Sequence, residues 1–235
     1  MSNHPAHQPN PRAATRRAIL LMAGASLFTA GCGNIIGPEK SLQLYVMAPA
    51  LPPAVQAPAM AGAFHPSPGQ LAVAVPLAPA SLDTERIALN PTPLTMDYFA
   101  NASWPDRLPL LVQSLLLQGF ESDGRAEAAR DTAGLRADYQ LQTEIRAFQA
   151  RYGAPDSAPG IEIRIAASLV SMPQAMIVGR HEWSEQAQAE SNALPAIITA
   201  FDKAMAAMLA DISGWTGSTL QSLPPPDIIP EQKES

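Results

Sequence analysis

The chain has 235 residues, with 15 basic against 21 acidic side chains and one cysteine, Cys32. An acidic excess argues against nucleic-acid binding, which depends on basic phosphate contacts, and a lone thiol leaves no internal disulfide and no thiolate metal cluster. The length suits one domain with one core once flexible ends are set aside.

The first element reads as an export signal. Arg12, Arg16 and Arg17 form a positive region with no acid before Cys32, and residues 18–29 are an uncharged apolar run too short to span a bilayer comfortably. The run ends in Thr29-Ala30-Gly31-Cys32, which looks like a lipobox: the small residues lie extended in a peptidase cleft and the thiol takes a thioether-linked lipid. Lipoboxes usually carry leucine where Thr29 stands. Residues 1–31 are expected to be removed, leaving Cys32 as a lipidated amino terminus and residues 32–40 as a tether. The mature chain then holds 12 basic against 21 acidic residues, a net charge of −9. Thr15-Arg16-Arg17 also resembles a twin-arginine signal, so the export route stays open. Gly33 and Asn34, with no aspartate, resemble the start of lipoproteins passed to the outer membrane, and its periplasmic face is the expected address.

The body of the domain is expected over residues 41–217. Residues 41–47 alternate, with Leu42, Leu44 and Val46 expected inward and Gln43 and Tyr45 outward, as a first strand. Residues 48–69 are rich in proline and alanine, which sustain neither helix nor ladder, and read as a surface excursion. Leu71, Val73 and Val75 alternate next; residues 86–89 and 94–99 then read as two strands joined at Asn90-Pro91-Thr92-Pro93. The period changes at Leu108, Leu111, Val112, Leu115 and Leu116, which recur as one face of a helix. Asp106 is expected as its N-cap, with Pro109 at the third helical position, and Gly119 and Gly124 near its end.

Residues 139–147, 161–165 and 176–183 then alternate as three successive strands of an antiparallel meander with one wet face. A last helix is traced by Leu194, Ile197, Ile198, Phe201, Met205, Met208 and Ile212, with Asn192 expected to cap it and Gly214 and Gly217 to stop it. Residues 218–235 read as a disordered tail. The order predicts an α+β fold: a two-layer sandwich in which two main amphipathic helices lie on one face of a mostly antiparallel sheet.

Leu82-Asp83-Thr84-Glu85-Arg86-Ile87-Ala88-Leu89, then Tyr98, then Trp104-Pro105-Asp106-Arg107-Leu108-Pro109 resemble the ABC-type transport auxiliary lipoproteins, outer-membrane companions of MCE-type lipid transporters. The order of lipobox, early strand, these two segments, long polar strand and terminal helix extends the resemblance over nearly the whole mature chain. It implies a non-enzymatic accessory that ties the outer membrane to an envelope-spanning lipid transport complex, with an MCE-domain protein as partner and the ATPase on a separate subunit. Self-association into a homo-oligomer is left open. Asp83, Glu85 and Arg86, with Tyr98, are candidates for a partner-facing edge or for a turn with its own ion pair. Asp106 and Arg107 are candidates for the same partner-facing edge or, with Trp104, for a helix-start motif with packed indole and capping carboxylate.

Two competing classes are weighed. A periplasmic hydrolase finds little support: the mature chain holds only His65 and His181, neither with a second histidine at zinc-ligand spacing, and Ser168 lies outside any nucleophile motif. No cofactor and no metal is expected beyond the covalent lipid on Cys32. A lipoprotein that binds an apolar ligand in its own cavity would use Met172, Met176, Met205 and Met208 as an adaptable lining.

Overall fold

Strands and helices follow one another as β1 (Gln43–Leu44), β2 (Leu71–Val73), β3 (Arg86–Thr92), β4 (Thr95–Ser103), α1 (Leu108–Asp123), β5 (Ala128–Arg130), β6 (Tyr139–Arg151), β7 (Gly160–Ser171), β8 (Met176–Gln188) and α2 (Leu194–Ser222). The structure, a computed structural model, describes residues 41–51, 69–124, 126–134, 136–172 and 174–223. All of these but Ser41 belong to one unit of the chain, which begins at Leu42.

The three longest strands carry the strictest alternation, and they form the antiparallel meander β6–β7–β8. β6 is the hub. One of its edges is taken along its length by β7, and the other is shared: β2 pairs in parallel with its start, Leu77 bridges to Glu144, and β3 pairs in parallel with its end. From these two joints the sheet continues to β5 on one side and to β4 and β1 on the other. The antiparallel reading holds for the long strands, and the short parallel joints are an addition to it.

Inward residues of the meander, among them Leu141, Ile145, Ile163, Ile165 and Leu169, are buried; α2 packs on β7 and β8, and α1 packs beside it on β2 and β5. The result is the expected α+β arrangement of helices on one face of a curled sheet. Trp104, which follows β4 directly, stands in the middle of the core: its ring meets Phe148 and Phe201 edge-on at 6.2 and 5.5 Å, and those two stack at 5.2 Å. Gly119 lets α1 lie close to α2, since a Cβ there would come within 3.3 Å of Leu209 Cβ.

Both helices begin without a side-chain cap, contrary to expectation. Arg107 is the N-cap of α1 and Pro109 sits second in the helix, while Asp106 Oδ1 accepts from the Arg107 backbone N–H at 2.8 Å. The first free helical N–H, that of Leu108, donates instead to the Thr84 carbonyl at 3.0 Å, so a loop distant in sequence does the work of a cap. At α2 the N-cap is Ala193, and Asn192 Oδ1 accepts from the Tyr152 hydroxyl at 2.7 Å.

α2 also runs through Gly214 and Gly217 to Ser222, because the face that includes Thr216, Gly217 and Leu220 remains buried and offsets the helix cost of glycine, about 1 kcal/mol each. Residues 218–222 therefore belong to the helix. The phase of the first strand is the reverse of the one expected: Leu42, Leu44 and Val46 are exposed, Tyr45 is half-buried and Met47 is buried. Apolar residues stand on both faces of this segment, and its register with β4 turns the Tyr45–Met47 set to the core.

Candidate functional site

The hairpin of β3 and β4, the loop at 81–85 before it and the start of α1 meet around one open depression of about 540 Å³. Its walls include Leu42, Asp83, Arg86, Phe99, Asn101 and Arg107. The backbone beneath is firmly tied. The Glu85 carbonyl accepts from the Ser103 hydroxyl and from the Trp104 N–H, each at 2.7 Å, so the loop is fixed to the residue that anchors the core.

Over this frame the side chains make two charge contacts. Arg107 Nη2 donates to Asp83 Oδ2, joining the first turn of α1 to the loop. The Arg86 guanidinium lies 3.8 Å from the centroid of the Tyr98 ring, a cation–π contact, and the Tyr98 hydroxyl donates to the Ser81 carbonyl at 2.9 Å. Four of the six partner-facing candidates, Asp83, Glu85, Arg86 and Arg107, thus line one depression, with Tyr98 beneath Arg86. Asp106 is exposed beside it and does not line it. Leu42, Phe99 and Asn101 were not anticipated. Asn101 has a left-handed φ of 56°, which asparagine tolerates better than most residues, but nothing in its sequence neighbourhood marks it.

The wet face of the meander carries the second polar cluster. Arg146 bonds Glu144 and Glu182, Arg164 lies 3.9 Å from Glu182, and Arg151 reaches Glu162 at 3.1 Å, a charge ladder across β6, β7 and β8. Ser168 pairs with Arg180 in the β7–β8 register, whereas His181 pairs with Ala167. Ser168 and His181 therefore project from opposite faces of the sheet and do not form a nucleophile–base pair. His181 instead rests on Trp183, with ring centroids 4.5 Å apart, and faces Trp215 of α2.

On the helix side, burial and the neighbouring Asp211 carboxylate push the Glu185 carboxyl above its ordinary range. Burial likewise raises the Asp202 carboxyl, against the opposing pull of the Ala48 N–H that donates to Oδ1 at 3.0 Å. The methionines do not converge: Met205 and Met208 are fully buried in the core, while Met172 and Met176 are exposed at the β7–β8 turn. They do not line one cavity. Cys32, Arg16, Arg17, Thr29, Ala30, Gly31 and His65 lie outside the described residues, as do most of the excursion and residues 224–235.

Comparison with known proteins bears on this geometry. The family model for the ABC-type transport auxiliary lipoprotein component matches residues 48–213. The chain belongs to this family. The match spans every partner-facing candidate. This auxiliary lipoprotein is 35% identical over 148 residues to an uncharacterised protein of Bradyrhizobium diazoefficiens, a match that covers 62% of the chain and 39% of that relative. The chain thus spans well under half the length of that relative.

Among solved structures, a protein of Xanthomonas campestris resembles the auxiliary lipoprotein with a TM-score of 0.66 and 26% identity, over 76% of this chain and 97% of that one. A second, uncharacterised protein shares the fold with a TM-score of 0.53 at 14% identity, over 74% and 99%.

Proposed function

We propose that this auxiliary lipoprotein is held by a lipid on Cys32 at the periplasmic face of the outer membrane. There it acts without catalysis, as an adaptor that docks an MCE-domain protein of an ABC-type lipid transport system. The observation that carries the docking surface is the gathering of Asp83, Glu85, Arg86 and Arg107 around one open depression inside the family match. Their contacts are exposed and exchangeable, since a guanidinium and a carboxylate facing water hold each other by at most about 1 kcal/mol and can re-pair with a partner's charges.

The length of the tether supports the same reading. Leu42 lines the depression and stands ten residues after Cys32, a span of at most about 35 Å, so the docking face stays close to the membrane that holds the lipid. The test is recovery of partners from crosslinked, detergent-solubilised envelopes with the tagged full-length protein as bait. An MCE-domain protein in the eluate, lost with Arg107→Glu, is the expected result. Its consistent absence under crosslinking overturns the adaptor reading.

A further inference from the structure

We propose that β8 pairs edge to edge with β8 of a second copy of this chain, antiparallel about a twofold axis at His181. β8 is 13 residues long and, among the described residues, bonds to β7 alone. Among the described residues no backbone hydrogen bond joins residues 176–188 to any other element, so the outer edge is an open row of donors and acceptors. Among the described residues the outer strands β1 and β5 are two and three residues long, and the stretch of β4 that β1 leaves uncovered, residues 95–101, is about half as long as β8 and ends at the left-handed Asn101.

Natural edges of this length are usually protected by proline, lysine or a bulge. β8 has neither proline nor lysine, and its one irregularity, between the Leu169 and Val170 pairings, falls before Gly179. From Gly179 onward the strand is regular.

The charges select the occupant and the register. Arg180 and Glu182 project from the wet face two residues apart. Glu182 already holds Arg146, but Arg180 lies opposite Ser168 on β7 and makes no ion pair among the described residues. An antiparallel copy centred on His181 sets each Arg180 against Glu182 of the other copy, satisfying both unpaired guanidiniums at once. Moving the axis by one residue in either direction sets Arg180 against Arg180 or Glu182 against Glu182, like charges directly opposite. On the helix side the same register sets Trp183 of each copy opposite Gly179 of the other, whose helix-facing side is already covered by Trp215 and Thr219 of its own chain. The strand is self-complementary in this register, which is the condition for an isologous dimer. The dimer leaves the depression at Asp83–Arg107 free, because that site lies at the β1–β4 end of the sheet.

Two measurements test it. The molar mass of the unsubstituted protein in detergent, by light scattering, is expected to report two copies; a monomer across the working concentration range overturns the proposal. Cys32 is the only cysteine of the chain, so His181→Cys introduces a single new thiol, on the axis itself. Mild oxidation of membranes carrying His181→Cys is expected to give a disulfide-linked dimer, while Leu94→Cys, at the exposed tip of the β3–β4 hairpin, stays monomeric. Adding Arg180→Glu is expected to cut the crosslinked yield at least fivefold with the thermal midpoint unchanged. Equal crosslinking of the two cysteine variants, or a yield indifferent to Arg180→Glu, overturns the proposed pairing.

Discussion

Arg107 at the start of α1 donates to Asp83 in the loop before β3, joining two positions 24 residues apart at the rim of the same depression. The pair is about half exposed at the guanidinium and a third exposed at the carboxylate. Water competes for both groups, so Arg107→Ala is expected to change stability by less than about 1 kcal/mol. Recovery of the crosslinked partner is expected to fall severalfold. A melting curve and a quantitative pull-down on the same preparation separate the two effects; a large loss of stability with full partner recovery would show a purely structural pair.

The aromatic group of Trp104, Phe148 and Phe201 makes the opposite prediction. All three rings are fully buried, and they join the strand–helix connection, β6 and α2. Phe201→Ala leaves a cavity in their midst and is expected to cost about 3–5 kcal/mol in chemical denaturation. Partner recovery at low temperature should persist for as long as the fold does.

Glu185 supplies a pH signature. Its carboxyl is held above the ordinary value of 4.5 by burial and by Asp211. Above the raised value it is charged in both folded and unfolded chains, and the penalty for charging it in the fold is complete; below 4.5 it is protonated in both and the penalty is gone. The contribution of this residue therefore falls as pH rises through that window. Glu185→Gln is expected to raise the midpoint by about 1–2 °C at neutral pH and to leave it unchanged well below the ordinary carboxylate range. A gain that is equal at both pH values would refute the assignment.

Cys32→Ser tests the anchor independently of the folded domain. It is expected to abolish palmitate labelling and to leave unprocessed precursor, with the domain's melting behaviour unchanged, Met47 being the first core residue among those described.

The long elements were legible because their periods are strict. Tyr139, Leu141, Thr143 and Ile145 alternate without exception until the bulge near Arg146, and the apolar face of α2 repeats from Ile197 to Ile212. Helix starts were less legible, since Leu108 takes its cap from Thr84 and no local pattern encodes a partner 24 residues upstream. The parallel joint between β2 and β6 is equally non-local, as is the turning of Tyr45 and Met47 to the core. At the candidate site the charged residues stood out as motifs. Their convergence did not, because it depends on the register of β3 with β4 and on the loop's attachment to Ser103 and Trp104.

The bond from Leu108 to Thr84 makes the loop at 83–85 its own sensor. The Leu108 amide is shielded by a carbonyl of the very loop a partner would grip, so its exchange with solvent deuterium follows the loop rather than the helix. A partner that tightens residues 83–85 slows that one amide, and a partner that pulls them away quickens it. A single proton at the helix start thus records, in minutes of exchange, the direction in which a docked partner would lean on this loop.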